Sequence, residues 1–410
     1  MARKERGEME RKRSRIGIIG CGFTADRYIP SIRLYPELEL AGAMDKNPDR
    51  AFKWCEYYSV KRYPTLELML ADDSIEIAVN LTSSSSHYAV TRKCLEAGKH
   101  VYTEKPISPK FSEAEELVEL ANRKGLQLSS APSSLLGETA QTLWRALSKN
   151  EIGPVRVVYA DLDDGPFHLM EPHTWRSPSG APFDYQEEVK VGVTVEHAAY
   201  YLAWLTAFFG PAKTITAFSS CLWPERRVNQ DETLNLTTPD FSVACITMEA
   251  GVVAKLSCSI VAPHNHVMRI VGDRGVLSVN ECWNYNAPVY LDRYSIFKFK
   301  AETYPISRVL PFLPGLRDSG PRIYPPVRKA TWWKRQQRFR HDFARGIVEL
   351  ARAINERRPS RLPVDFCLHV NELLEAIQNG APTPYTVRTT FKTLRPLNDA
   401  ELEDLIPQKW

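Results

Sequence analysis

Residues 15–25 read RIGIIGCGFTA, and this stretch decides the fold. An apolar run ends directly at GCGFTA (20–25), where two glycines and a small residue have the spacing G-x-G-x-x-A. The first glycine permits a tight turn, the second lets the backbone approach a ligand, and the small residue allows a helix to pack closely. Free amides at the start of that helix attract anions. The stretch therefore predicts a strand, a phosphate-binding loop and a helix.

Apolar strand-like runs continue to alternate with amphipathic helical stretches as far as about residue 130. The runs are LELAGAM (38–44), IEIAVNL (75–81), HVYT (100–103) and LQLSS (126–130). Strands that are apolar throughout are typical of a parallel sheet covered by helices on both faces. The fold class is therefore predicted to be α/β, beginning with a doubly wound, Rossmann-type parallel sheet.

From residue 155 the pattern changes to longer, alternating strands joined by short turns, such as VRVVYADL (155–162) and FSVACITM (241–248). This pattern predicts an α+β domain with a large, mostly antiparallel open sheet. One long helix over 193–209 interrupts the strands. Two more, near 337–357 and 365–379, follow a Pro-rich stretch at 304–327 that is predicted to be a long loop.

The second strand of the alternating region ends at Asp45. A carboxylate at this position of a dinucleotide-binding fold can accept hydrogen bonds from the ribose hydroxyls. It would also repel the 2′-phosphate of NADP, and the following Lys46 could partly offset that repulsion. The pair favours NAD as the cofactor, with NADP possible. The predicted organisation is a basic flexible arm at 1–15, a dinucleotide-binding Rossmann domain at 16–135, and a substrate-binding and oligomerisation domain at 136–410.

Composition and charge exclude several classes of protein. Of the 410 residues, 43% are hydrophobic and 25% charged, which is typical of a globular chain. No apolar run reaches the ~18 residues of a membrane span. The net charge of +4 arises in the arm, because residues 2–15 hold seven Lys or Arg and three Glu, and the rest is formally neutral. A neutral body disfavours nucleic acid as a partner.

Cysteine and histidine usage points to a reduced protein without a metal site. Eight cysteines stand singly with no CxxC pair, and the nine histidines include no HExxH motif. The arm lacks the apolar core of a secretory signal. The sequence therefore predicts a cytoplasmic protein with reduced cysteines and no bound metal.

A family resemblance rests on GIIGCGFTA (17–25), AMDKNPDRA (43–51) and NLTSSSSHYAVTRKCLEAGKHVYTEKP (80–106). These motifs resemble the Gfo/Idh/MocA family of NAD(P)-dependent oxidoreductases, and later segments extend the resemblance to about residue 380. It implies a reaction at hydroxyl or keto groups of sugars, cyclitols or related small polyols. The cofactor residues that it implies are Gly20, Gly22, Phe23 and Thr24 at the pyrophosphate, Asp45 with Lys46 at the ribose, Thr82, Ser83 and His87 along the dinucleotide, and Glu104 and Lys105 near the nicotinamide.

Hydride transfer at a carbinol needs a base and an electrophile at one oxygen. Lys105 suits the electrophile, and the resemblance implies His197 as the base, but the family's aspartate four residues earlier is here Val193. Residues within reach on the same helical face are Thr194, Tyr200 and Tyr201, and either tyrosine could relay a proton.

Substrate contacts are expected from the segment before this helix. Trp175 offers a ring face for a sugar, Arg176 a fork for carboxylate or phosphate, and Lys190 a further polar contact.

Two other functions stay open at this point: an NAD(P)- and sugar-binding sensor without turnover, and an NAD-assisted glycosidase or lyase of the same family. The basic, aromatic stretch at 328–340 favours a domain or subunit interface over nucleic acid. A large open sheet usually needs covering, which favours a homodimer or homotetramer.

Overall fold

The computed structural model describes residues 12–227, 232–294, 321–328 and 341–407. Within them the first sheet has five parallel strands in the order β2-β1-β3-β4-β5. Its strands are Ser14–Ile19 (β1), Leu38–Met44 (β2), Ile77–Asn80 (β3), His100–Thr103 (β4) and Leu128–Ser130 (β5). The accompanying helices are Ala25–Ile32 (α1), Pro48–Tyr58 (α2), Leu66–Leu70 (α3), His87–Glu96 (α4) and Phe111–Lys124 (α5). The predicted doubly wound sheet is confirmed.

The second sheet has nine strands among the described residues, in the order β15-β14-β13-β12-β6-β11-β10-β7-β16. Its strands are Val155–Asp163 (β6), Ala212–Ser220 (β7), Phe241–Met248 (β10), Val253–Ser259 (β11), Met268–Gly272 (β12), Gly275–Val279 (β13), Tyr290–Arg293 (β14), Arg322–Ile323 (β15) and Tyr385–Thr386 (β16). Strands Glu225–Arg227 (β8) and Thr233–Asn235 (β9) pair antiparallel in a separate two-stranded sheet. The sheet is mostly antiparallel, as predicted, but β6 and β11 pair in parallel.

The helices of the second part are given by their bounds. They are Glu138–Ser148 (α6), Phe167–Met170 (α7), Tyr185–Val191 (α8), Val193–His197 (α9), Ala199–Phe209 (α10), Arg345–Asn355 (α11), Val364–Gln378 (α12) and Asp399–Leu405 (α13). The helix predicted over 193–209 is divided at Ala198. Most of the predicted arm (1–15), of the Pro-rich stretch (304–327) and of the basic stretch (328–340) lies outside the described residues, as does the predicted helix start at 337. The last two residues of the predicted arm belong to β1.

The two faces of the second sheet differ. Alternate residues such as Val158, Ala254 and Ile215 are buried, and helices α9 and α12 contact this face. The opposite face leaves Tyr159 and Phe218 exposed. A homodimer or homotetramer formed over this face stays a prediction.

The chain returns to the first sheet at its end. Helix α12 packs against α5, the Ser129 hydroxyl donates to the Leu362 carbonyl, and Gly346 of α11 lies so close to Tyr102 that an added Cβ would stand 2.5 Å from the phenol oxygen. Residues after 341, which the sequence-based division assigns to the second domain, therefore also pack against the first sheet. In the part of the chain that the structure describes, every helix is too short or too polar to pass through a lipid bilayer.

Candidate active site

The loop after β1 has the form of a phosphate cradle. Gly20 has φ +97°, and a Cβ there would lie 2.7 Å from the Leu81 carbonyl oxygen, so only glycine fits. A Cβ on Gly22, in contrast, would meet no described atom within 4 Å. The open space at Gly22 and the start of α1 at Ala25 fit a pyrophosphate. Thr24 is the cap residue of α1, and its side chain makes no capping hydrogen bond.

Asp45, directly after β2, is buried and already engaged. Its carboxylate accepts hydrogen bonds from the Cys21 and Asn47 amides at 2.8 Å each. Arg50 of α2 adds a two-point contact, with Nε at 2.9 Å and Nη2 at 2.8 Å. Lys46 is exposed. The structure thus places a guanidinium beside the carboxylate that the sequence assigned to the ribose.

The loop after β3 is held by side chains. Thr82 donates its hydroxyl to Asn80 Oδ1 at 2.7 Å, and the Ser83 hydroxyl lies 3.4 Å from that of Ser86. His87 is buried, with Nδ1 2.7 Å from the Pro106 carbonyl and Nε2 3.0 Å from the Thr82 carbonyl. These contacts give His87 the task of fastening this loop to the one after β4, while its predicted place along the cofactor stays a prediction.

Lys105 follows β4 and forms an ion pair that links the two domains. Its ammonium lies 2.9 Å from Glu196 Oε2, and the two side chains are only 15% and 10% exposed. The Ser84 hydroxyl donates to the other oxygen of Glu196 at 2.8 Å. Burial disfavours the charged ammonium, but Glu196, Glu188 and Glu104 outweigh it and raise the pKa of Lys105. The lysine is therefore a fixed cation at the carboxyl edge of the first sheet.

Glu104, the residue before this lysine, points to α1. It accepts a hydrogen bond from the Tyr28 hydroxyl at 2.5 Å. The backbone amide of Lys105 also donates to its carboxylate at 3.1 Å.

His197, at the end of α9, has a carboxyl group at each ring nitrogen. Nδ1 is in direct contact with Asp164 Oδ2, and Nε2 lies 2.5 Å from Glu188 Oε1. Burial, followed by the positive charges of Lys105 and His266, holds the pKa of His197 well below its usual range. The ring is therefore neutral, as a general base requires.

The predicted partners of His197 lie elsewhere. The Thr194 hydroxyl donates to Ser242 at 2.7 Å, and the Tyr201 hydroxyl donates to the His266 carbonyl. The Tyr200 ring packs against Trp283 and His341, with centroids 5.9 Å away in each case. The structure instead supplies the carboxylate from Asp164, a different element, and a catalytic role for either tyrosine stays a prediction that these contacts do not favour.

Asp164 begins a polar network at one end of the second sheet. It follows β6, while His266 precedes the antiparallel strand β12 and Glu281 follows β13, so all three stand at the same end. His266 Nε2 lies 2.6 Å from Asp164 and Nδ1 2.9 Å from Glu281. Burial opposes the charged ring, but Cys282 and Glu281 raise the pKa of His266 to about 9. The sequence missed this network.

The same network gathers groups that could ligate a metal. Asp164, His264 and His266 present ligand atoms within 4.8 Å of one another, as do His266, Glu281 and Cys282. The contacts of His266 with Asp164 and Glu281 are hydrogen bonds of its two ring nitrogens.

A segment between the domains, residues 166–192, crosses the phosphate loop and is named here the bridging segment. Its Phe183 ring packs edge-on against Phe23, with centroids 5.4 Å apart, and Trp175 stands 5.3 Å from Phe183. The Ser179 amide donates to Asp26 of α1 at 2.8 Å. Phe23 and Trp175 thus meet in one aromatic cluster over the cradle.

The other two predicted substrate residues of this segment are exposed. Arg176 is exposed and donates from Nη1 to the carbonyls of His173 and Trp175 at 3.0 and 2.8 Å. Lys190 is exposed as well. Their roles as substrate residues stay predictions.

Comparison with known proteins identifies the family. Residues 14–131 match the model of the oxidoreductase family with an NAD-binding Rossmann fold, and residues 140–278 match the GFO/IDH/MocA C-terminal domain. The chain belongs to the Gfo/Idh/MocA family. It is therefore an NAD(P)-dependent oxidoreductase by family, and its first domain is a Rossmann domain for that cofactor.

Individual relatives are distant. The bovine (Bos taurus) trans-1,2-dihydrobenzene-1,2-diol dehydrogenase is 24% identical over 66% of this chain and 75% of its own length. Among solved structures, the WlbA dehydrogenase from Bordetella pertussis, in complex with NADH and UDP-GlcNAcA, covers 92% of this chain and 98% of its own, with TM-score 0.66 and 18% identity. The aldose-aldose oxidoreductase from Caulobacter crescentus covers 92% and 100%, with TM-score 0.69 and 17% identity. These two share the fold.

Restoring the family's aspartate at position 193 is expected to harm this chain. Val193 is 1% exposed in the apolar core, and Asp164 already occupies Nδ1 of His197. A Val193→Asp variant would bury a charge without a partner, which costs about 3 kcal/mol or more of unfolding free energy. Chemical denaturation measures the loss. The similarly sized Val193→Thr is the control and should be clearly more stable than the aspartate variant; an aspartate variant of wild-type stability would contradict the assignment of Asp164.

Proposed function

We propose that this protein transfers a hydride between NAD(P) and a hydroxyl or keto group of an uncharged, polyhydroxylated small molecule. One observation carries the proposal. Glu196 holds the Lys105 ammonium in an ion pair, and the next residue in the chain, His197, has a neutral imidazole that interacts with the same ammonium. This arrangement puts a cation and a base at the carboxyl edge of the Rossmann sheet, where ligands of such sheets bind.

The chain's own residues divide the work. The cradle formed by Gly20 and Gly22 would hold the pyrophosphate, and the Asp45–Arg50 pair would face the adenosine ribose. The bound nicotinamide supplies the hydride acceptor or donor. Lys105 hydrogen-bonds the reacting oxygen and stabilises its negative charge, and a base at His197 takes or returns the hydroxyl proton.

The charges of the site favour an uncharged substrate. The carboxylates of Glu196 and Glu104 lie near Lys105, and the carboxylate of Asp164 contacts His197. Carboxylates accept hydrogen bonds from sugar hydroxyls but repel carboxylate and phosphate groups. Arg176, the predicted anion contact, is bound to backbone carbonyls of its own segment. These charges support a free sugar or cyclitol over a sugar acid or nucleotide sugar.

Turnover assays test the proposal. Cofactor-stripped protein with NAD⁺ or NADP⁺ is offered neutral polyols, sugar acids and nucleotide sugars, and the absorbance of reduced nicotinamide is followed. We expect reduction with a neutral member of the panel. Dinucleotide binding without any reduction would contradict the proposal in favour of a sensor, and release of a sugar without net reduction would favour a glycosidase or lyase.

The choice between the two dinucleotides is expected to depend on the Asp45 charge. Asp45→Asn keeps an acceptor for the Cys21 amide but removes the repulsion of a 2′-phosphate and releases Arg50 to bind it. We expect the affinity for NADPH relative to NADH to rise at least about tenfold, or ~1.4 kcal/mol. Fluorescence titration of both reduced cofactors measures the ratio. The control is Asp49→Ala, which removes an exposed carboxylate from α2, the helix of Arg50. An unchanged ratio in Asp45→Asn would refute the role of the Asp45 charge in cofactor choice.

A further inference from the structure

The groups that contact His197 determine which of its ring nitrogens carries a hydrogen and which neighbour holds a proton. His266 has a carboxylate at each ring nitrogen, which both accept, so its ring is a protonated cation. That cation leaves Asp164, its neighbour, as a charged carboxylate. Because a carboxylate only accepts hydrogen bonds, the His197 nitrogen that contacts Asp164, Nδ1, carries its hydrogen.

Unlike His266, the His197 ring is neutral, because burial and the positive charges of Lys105 and His266 hold its pKa well below the usual range, so its other nitrogen has a lone pair. At 2.5 Å from Glu188 Oε1, a bond between two acceptors is impossible, so Glu188 donates and holds a proton. Burial, reinforced by Glu196, raises the pKa of Glu188 to about 8, which agrees with this count. One exchangeable proton therefore lies between Glu188 and His197.

Charged groups from several elements face this pair. The groups around Glu188 and His197 are Lys105 after β4, Glu196 on α9, Asp184 and Glu187 at the start of α8, and Asp164 and His266 at the end of the second sheet. Lys105 favours the ionised carboxylate, whereas the other carboxylates near Glu188 favour the protonated form.

We propose that Glu188 is a catalytic residue that exchanges the proton with the reacting hydroxyl, that His197 is its hydrogen-bonded partner, and that Asp164 positions both. This inference rests on the proposed function and deepens it. In oxidation, the carbinol O–H proton passes to the Glu188–His197 pair. The C–H bond breaks with its electrons and hydrogen passing to the nicotinamide, and the C–O bond becomes C=O. Reduction takes the same proton back from the pair.

The position of Glu188 supports this role. Its side chain is 13% exposed, and its carboxyl group lies close enough to Lys105, the proposed electrophile, for the ammonium to favour the ionised form. Phe167 packs edge-on against the His197 ring, with centroids 6.5 Å apart. Both ring nitrogens of His197 are engaged, Nδ1 by Asp164, which is 2% exposed, and Nε2 by the more exposed Glu188, so a proton enters or leaves the ring through Glu188.

The pH dependence of turnover tests the role of Glu188. Oxidation needs the unprotonated pair, so wild-type turnover in that direction is expected to rise as the pH passes through about 8, and reduction to fall. Glu188→Gln has the same shape but no ionisable proton. We expect it to lose this pH dependence and about 100-fold or more in kcat while it binds the dinucleotide with wild-type affinity. Glu187→Gln keeps an acceptor for the Ser85 amide and removes one of the charges that favour the protonated pair, so this comparison variant is expected to keep most of the turnover, with its pH dependence moved to lower pH.

Infrared spectroscopy tests the proton without any turnover. In the difference spectrum between wild type and Glu188→Gln, we expect a carboxylic-acid C=O stretch at pH 7 that disappears as the pH rises through about 8. Asp164→Asn can donate to Nδ1 and so turn the His197 tautomer. The hydrogen then lies on Nε2 and is donated to Glu188, so the band at pH 7 is expected to be lost in this variant too.

The outcomes separate this inference from the proposed function. A wild type that reduces no dinucleotide contradicts the proposed function, while the infrared band still tests the shared proton. Absence of the band in wild type overturns the inference. So does a Glu188→Gln variant that keeps its kcat and its pH dependence. A purely structural role of Asp164 would lower stability and leave the band in place.

Discussion

A Lys105→Met variant is expected to bind the dinucleotide as the wild type does and to lose about 100-fold or more in kcat. The ammonium is the cation available to the reacting oxygen in the proposed mechanism, and removal of one such donor typically costs 10²–10³ in rate. Stopped-flow or steady-state assays with saturating substrate measure kcat, and fluorescence titration measures cofactor affinity.

Two further variants show that this loss is chemical. Lys105→Met leaves the buried Glu196 carboxylate without its ion-pair partner, so stability also falls. The double variant Lys105→Met/Glu196→Gln removes that charge and is expected to regain stability without regaining turnover. Lys110→Met, an exposed lysine paired with Glu113, serves as the surface control. If the double variant recovered kcat as well, the electrophilic role of Lys105 would be wrong.

Alanine at the two loop glycines is expected to have opposite effects on binding and stability. A Cβ at Gly22 would have no atom of the described residues within 4 Å, so Gly22→Ala should fold with wild-type stability but intrude on the pyrophosphate. The affinity for NAD(P) is expected to fall about 10- to 100-fold, which corresponds to the ~1–3 kcal/mol of a steric overlap. Calorimetric titration measures it, and unchanged affinity would place the pyrophosphate elsewhere.

Gly20→Ala is the structural counterpart. Its Cβ would overlap backbone atoms of Leu81 and Thr82 in a left-handed conformation, so the variant is expected to lose about 2–3 kcal/mol of unfolding free energy. Gly98→Ala has a similar φ of +77° but open space around it, and separates dihedral strain from overlap. Equal destabilisation in both variants would show that strain alone accounts for the effect.

The sequence predicted well those features that depend on neighbouring residues. The cradle and Asp45 stand directly after a strand, and Lys105 stands one residue further on. Parallel strands bring their ends to one edge, so the position of a motif at a strand end is already determined. The two sheets could also be predicted, because the change in strand pattern is visible in neighbouring residues. The parallel pairing of β6 with β11 could not, because pairing across 96 residues leaves no local signal.

The surroundings of His197 could not be predicted in the same way. Helical spacing identifies partners only on the same helix, and the sequence therefore showed Val193 as a missing partner without showing its replacement. Asp164 comes from the end of a strand, Glu188 from the preceding helix, and His266 lies 102 residues from Asp164. The adjacent acidic residues of the bridging segment, Glu187 and Glu188, were the available signal.

The return of α11 and α12 to the first sheet has a consequence for synthesis of the chain. When residue 135 leaves the ribosome, the strands of the Rossmann sheet are complete, but the helices that later cover β4, β5 and α5 lie more than 200 residues downstream. Apolar surface around Tyr102 and Leu128 stays exposed to solvent until translation is nearly finished. We therefore expect chaperones to bind the nascent chain at this stage. A chain that terminates early is expected to be an aggregation-prone fragment and not a functional Rossmann domain.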